Sequence, residues 1–284
     1  LCTCIFNRFL AEFSLWLSSS RTLGLNIKNM NTYFVQQDSI VRKIWGNADT
    51  VLFIFAGAAA EFALNKAVDW LYFTGKLPKD PLGRLFSTVN YAKVIVFAEE
   101  KLAIQAIEQI NHIHQKVEEK RGYHIPDWAY RDVLFMLIDY SIRAYESLER
   151  KLTSAEKEEA FSVFNRVGKL MQVPGLPKSF EAWEIQRKQQ LQENFAYSDF
   201  TKDLFLQYKK HLGFFRYWLV LEAQILLVPQ PIKKLLGFRN FSILTIIIPI
   251  YRLSRKLKID SVFKELILPK TYKSEIKALD RITN

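Results

Sequence analysis

Apolar positions recur every three or four residues along most of this chain, and a period of two is nowhere sustained. That pattern predicts helix after helix. Phe34–Trp45 is a short segment closed by Gly46-Asn47, and Ala48 to about Thr74 reads as one long, mostly apolar helix ending at Gly75. Asp80-Pro81 is an N-cap followed by proline at the first helical position, opening a helix over Leu82–Phe97. A helix over Glu99–Lys120 follows, then Trp128–Lys151. The next start is placed at Ser154, where Glu156, Glu158 and Glu159 suit the positive helix end. Ser179 opens a helix through Trp183, Leu204–Leu227 forms another, and basic C-terminal helices complete the chain. No repeat of 20–50 residues appears. The expected fold is all-α: a single multi-helix domain enclosing an apolar ligand pocket.

The chain has four histidines, and only His114 falls on the apolar side of its predicted helix. Ala103, Ile107, Ile110, His114 and Val117 form one stripe, while Gln105, Glu108, Gln109, His112 and Lys116 occupy the wet side. An imidazole facing a core needs a partner, either a hydrogen-bond acceptor or a metal. The bland reading is a core histidine with its hydrogen bond made. His112 points away from His114, and His124 and His211 complete no ligand-spaced set, so zinc is not expected. One axial histidine is nevertheless all that a haem iron requires.

Composition sharpens this picture in three ways. Hydrophobic content of 49% with 24% charged residues describes a globular protein, and 22 Phe, 12 Tyr and 6 Trp predict an aromatic interior suited to a greasy ligand or to plain packing. The net charge of +11 is uneven: Lys202–Asn284 carries 16 Lys/Arg against 6 Asp/Glu. There the charge interleaves with apolar runs such as Phe241–Tyr251, which fits a surface meeting anionic lipid headgroups or an ordinary solvated basic face. No motif organises it for nucleic acid, and none is expected as partner. No stretch reaches 18 apolar residues without a charge, so the expected location is intracellular, cytoplasmic or peripherally membrane-associated.

The two cysteines, Cys2 and Cys4, cannot build a disulfide framework. Residues 1–29 precede Met30 and the first patterned sequence; they are read as a non-native or poorly ordered extension. Residues 30–240 are read as the main helical domain and 241–284 as basic apolar helices packing on it. Phosphate-binding glycine loops, HExxH, CxxC and the GxSxG elbow are all absent.

Arg84 lies on a largely apolar helix, either as a surface snorkel or ion pair or as a cation beside a bound anion, and Thr88 stands one turn on. Asp139 and Arg143 are likewise one turn apart, bracketed by Tyr140 and Tyr145. The runs SIVRKIWG (39–46), DPLGRLFSTV (80–89), INHIHQKV (110–117) and DYSIRAYE (139–146) stand in an order and spacing that resemble the rubber-oxygenase and mpaB-like oxygenase family, over roughly residues 38–238. The resemblance implies a helical fold holding one haem b, with His114 as the axial iron ligand. It also implies Arg84 and Thr88 near the haem, as cofactor-binding and catalytic residues.

The activity implied is a haem-dependent oxygenase acting on an isoprenoid or other lipidic alkene, by oxidative cleavage of a carbon–carbon double bond. Two histidines frequent in relatives are missing, at about Leu64-Asn65 and at Leu134. Glu61 and Asp69 are candidate replacements for a distal base. The departures motivate the alternative of a haem- or lipid-binding helical protein at a membrane surface without oxygenase activity. The partners expected are a hydrophobic small-molecule or lipidic substrate and a peripheral membrane contact through the basic C-terminal third.

Overall fold

Two helices make the centre of the molecule, and a missing side chain lets them approach. The computed structural model describes residues 32–75 and 80–256; the readings of residues 1–29 and of the chain beyond 256 lie outside them. After α1 (Ile40–Trp45), α2 (Ala48–Phe62) begins at Asn47, whose side chain accepts from the backbone N–H groups of Asp49 and Thr50. It packs along α6 (Asp127–Leu148). A Cβ built on Gly57 of α2 would stand 2.4 Å from the ring of Tyr140 on α6, so only glycine permits this spacing. Helix α6 is buried on most of its sides, as expected of a helix that others surround.

Around that pair stand α7 (Ser154–Leu170), α8 (Phe180–Glu193) and α9 (Asp199–Leu227), together with α1. Trp45 is fully buried, edge-on to Phe55 and tilted against Phe164, with its indole N–H donating to Ser141 Oγ at 3.1 Å. The only polar atom of that large ring is thereby satisfied. Short α10 (Gln230–Leu236) ends at left-handed Gly237, and α11 (Leu244–Lys256) packs Leu244 and Ile248 against Leu148 and Ala223.

Helix α4 (Pro81–Phe97) starts as the sequence predicts, with the Asp80 carboxylate accepting from the Gly83 N–H. Ala98 and Glu99 turn the chain directly into α5 (Glu100–Arg121), and the two helices pack on each other. Arg84 and His114 lie fifteen residues on either side of Glu99, so the turn sets them at the same level.

The chain is all-α, with eleven helices among the described residues and only two isolated bridges, Tyr33 with Glu99 and Asn65 with Phe195. Three boundaries differ from expectation. The long apolar segment breaks after Phe62 and resumes as α3 (Asp69–Phe73), because distant groups capture the backbone between. Leu64 C=O accepts from Ala196 N–H, Lys66 N–H donates to Asn194 C=O, and the Asn65 side chain accepts from Ala67 N–H. Helix α7 is capped by Thr153 rather than by Ser154, in a reciprocal box with Glu156. Helix α9 begins at Asp199 and kinks at Gly213, whose φ of 72° few other residues would adopt.

Candidate functional site

The stripe that isolated His114 puts it where the α4–α5 hairpin meets the start of α6. Ala103, Ala106 and Ile107 are buried along the same side of α5, and His112 is exposed on the other. The His114 ring stands edge-on to Tyr130 of α6, with centroids 5.2 Å apart. Its Nδ1 is buried and has no hydrogen-bond partner. Burial lowers the imidazole pKa to about 4, and the charge of Arg84 adds to that, partly opposed by Glu118. His114 is therefore neutral across the physiological range, with its buried Nδ1 unpartnered, beside a guanidinium.

Its surroundings are held in place by Glu118, one turn further along α5. That carboxylate accepts from the Tyr130 hydroxyl at 3.0 Å and the Ile125 N–H at 2.8 Å, and pairs with exposed His124 at 3.1 Å. Burial pushes the Glu118 carboxyl up, but these hydrogen bonds outweigh it and hold it below the usual range. Tyr130 in turn is raised by burial and by its bond to Glu118, so it remains a phenol. Next along this face, Arg121 pairs with Asp69 at 2.5 Å and lies over the Trp70 ring at 4.0 Å.

The other residues singled out by sequence fall as follows. Arg84 is half-buried and acts on His114 electrostatically. Thr88 donates its hydroxyl proton to the Arg84 carbonyl at 3.2 Å, an ordinary intrahelical back-bond that leaves its lone pairs for any further role. Asp69 is engaged by Arg121, and Glu61 belongs to a different centre.

Sequence picked out Glu61 and the Asp139–Arg143 pair of that centre, which the structure shows at 2.6 Å, but not the residue that joins them. Glu61 of α2, 0% exposed, and Asp139 of α6 are joined by Arg187 of α8, which is 4% exposed. Arg187 Nη1 and Nη2 donate to the two Glu61 oxygens at 2.5 and 2.7 Å; its Nε and Nη2 donate to Asp139 Oδ2 at 3.0 and 2.9 Å. Tyr140 donates to Glu61 at 2.7 Å and Arg143 to Asp139 at 2.6 Å. Two carboxylates thus meet two guanidiniums. Burial raises Asp139, but Arg187 and Arg143 outweigh it and hold it below the ordinary value; burial lowers Arg187, but the carboxylates outweigh it and raise it. One layer out, Asp132 accepts from Asn65 at 2.8 Å and Asn194 at 3.0 Å, and burial still lifts it to about 6. For Arg187 the signal in sequence was the spacing of Trp183, Arg187, Gln190 and Leu191, which places the arginine on the buried side of an otherwise polar helix.

Among the described residues no three His, Cys, Asp or Glu side chains gather to hold a bare metal ion. Residues 42–247, most of the chain, match the family described as ER-bound oxygenase mpaB/B'/rubber oxygenase, catalytic domain. The chain belongs to that family. The match spans His114, Arg84 and the buried ionic centre alike, and marks them as parts of an oxygenase catalytic domain. No curated protein and no solved structure matches the chain. No helix among the described residues is long and apolar enough to cross a membrane.

Proposed function

We propose that this protein is a haem b-dependent oxygenase that cleaves a carbon–carbon double bond of an isoprenoid or other lipidic alkene. The observation that carries the reading is the His114 ring: buried, neutral, unpartnered at Nδ1 and flanked by Arg84. A buried polar atom without a partner costs about 1–3 kcal/mol, and a metal-ligand role for this imidazole would account for its retention. The residues present therefore fit a haem. His114 would hold the iron, Arg84 would meet a carboxylate of the group, and Thr88 would orient the same carboxylate through its hydroxyl. A bound haem supplies the oxygen chemistry that side chains cannot. The edge-on Tyr130 and its bond to Glu118 keep the imidazole from rotating away. In the cleavage both atoms of dioxygen end in the two carbonyl products, so the net reaction consumes no external reductant.

A second reading, haem or lipid binding without turnover, is favoured by the two positions where relatives frequently carry histidine. Asn65 is tied to Asp132, and Leu134 is a buried apolar residue packed where Gly168 lacks a side chain. Neither offers a base. Absorption spectra of the haem-supplied full chain and of His114→Ala test the first reading. A Soret band lost or strongly shifted in the variant is expected, and a colourless parent refutes it. Oxygen uptake by the loaded protein on isoprenoid alkenes then separates turnover from binding alone.

A further inference from the structure

Helix α11 turns two apolar sides in opposite directions. Leu244 and Ile248 pack inward on Leu148 and Ala223, while Ile246 and Ile250 point out, 61% and 63% exposed. Ile243, Ile247 and Leu253 extend the outward stripe, and Phe241 stands exposed just ahead of it. The spacing is that of one helix face, and no charge interrupts it. The arginines of α11 are drawn to its edges and inward: Arg252 donates to the carbonyls of Leu148 and Ser147, and Arg255 pairs with Glu149. Pro249 has no N–H to give the Thr245 carbonyl, which therefore needs water or a headgroup nearby.

The charge along this stretch of sequence is one-sided, although Glu222, Glu149 and Asp49 from elsewhere in the chain touch its edges. Between Glu222 and Asp260 the chain has no Asp or Glu and seven Lys or Arg. Of the described members of that set, Lys234 and Arg239 are exposed ahead of the stripe, Arg239 pairing with Glu222, while Lys233 is buried and Arg252 and Arg255 at its end are engaged as above. A second copy of the chain makes a poor cover, because a two-fold contact lays the same positive patch against itself. An anionic lipid surface is complementary to both parts: the stripe enters the acyl boundary and the cations meet the headgroups. No helix among the described residues, α11 included, is long and apolar enough to cross a bilayer, so the contact that fits this stripe is one lying in the interface.

We propose that the outward face of α11 is a membrane-docking surface selective for anionic bilayers. The inference stands on exposure and charge alone and is independent of the haem reading. Its test is co-sedimentation of the full chain with phosphatidylcholine vesicles, with and without about one third phosphatidylserine, at about 0.05 and 0.5 M salt. The parent is expected to bind the phosphatidylserine vesicles, and less at high salt. Ile246→Glu/Ile250→Glu is expected to bind at least about tenfold more weakly, because it removes two inserted side chains. Both residues are exposed, so the variant's thermal melt should match the parent's. Failure of the full chain to bind overturns the proposal, as does a double variant that binds as well as the parent. A parent dimer that the variant dissociates, without vesicle binding, assigns the face to self-association instead.

Discussion

Replacing Arg187 with methionine tests whether the buried ionic centre is an electrostatic unit. The side chain makes four contacts with Glu61 and Asp139 and one with Gln190 at 2.8 Å. Its loss does not strand the two acids equally. Asp139 keeps Arg143 at 2.6 Å, whereas Glu61 keeps only the Tyr140 hydroxyl. A fully buried carboxylate without a counter-charge takes up a proton, and the cost of that proton caps the damage. From an ordinary carboxyl value near 4.3, protonation costs about 5 kcal/mol at pH 8 and about 1 kcal/mol at pH 5. Breaking a buried pair in this way typically costs about 3–5 kcal/mol, which falls within the cap at pH 8. Arg187→Met is therefore expected to lower Tm by roughly 10 °C at pH 8 and by only a few degrees at pH 5. Adding Glu61→Gln should remove most of the difference between the two pH values. Urea or thermal unfolding of parent and variants at both pH values is the assay. A loss equal at pH 8 and pH 5, or below about 1 kcal/mol at pH 8, refutes the assignment.

Two further outcomes follow from the same packing and charges. Gly57→Ala drives a methyl into the Tyr140 ring, which Glu61 holds in place; destabilisation of about 3 kcal/mol in urea is expected, and a change under about 0.5 kcal/mol contradicts the close approach. His114 and Asp132 act oppositely on acid stability. The His114 pKa falls from 6.5 to about 4 on folding, so the unfolded chain binds more protons in that window and stability drops as pH falls through it. Asp132 rises from 3.8 to about 6, so its contribution to stability grows as pH falls through that range. His114→Gln should therefore gain on the parent by on the order of 3 kcal/mol between pH 7 and pH 4. An unchanged difference between the two proteins across that range argues against a buried neutral imidazole.

What was legible in the sequence was what local chemistry decides. Asp80-Pro81 announces α4 because a cap and a fixed φ act within one turn, and His114 stands out because burial of α5 follows its 3.6-residue period. The two-residue turn at Ala98-Glu99 then brings Arg84 and His114 together with no long-range information. The break after Phe62 was illegible for the opposite reason. Its cause is a bridge from Asn65 to Phe195, 130 residues away, in a stretch whose apolar run is compatible with unbroken helix. Arg187 was hidden because α8 is polar on most of its surface and the acids it serves lie on two other helices. On α11 the apolar run gave no sign of which half faces in, since both halves are apolar.

The two polar centres of the core argue for different purposes by how completely they are satisfied. At Glu61, Asp139, Arg187 and Arg143 the charges balance and each group has partners among the described residues, so nothing more is needed from a ligand. Such a centre fixes α2, α6 and α8 in one arrangement, and its oxygens are already spent on hydrogen bonds, which removes Glu61 from the candidates for a distal base. At His114 the reverse holds. The fold supplies Tyr130 to pack the ring, Glu118 to hold Tyr130, and burial, aided by Arg84, to keep the imidazole neutral, and then leaves a ring nitrogen without a partner. A histidine present only for packing would be cheaper as leucine. One surrounded by support and left short of a single bond suits the ligand role proposed above better than packing alone.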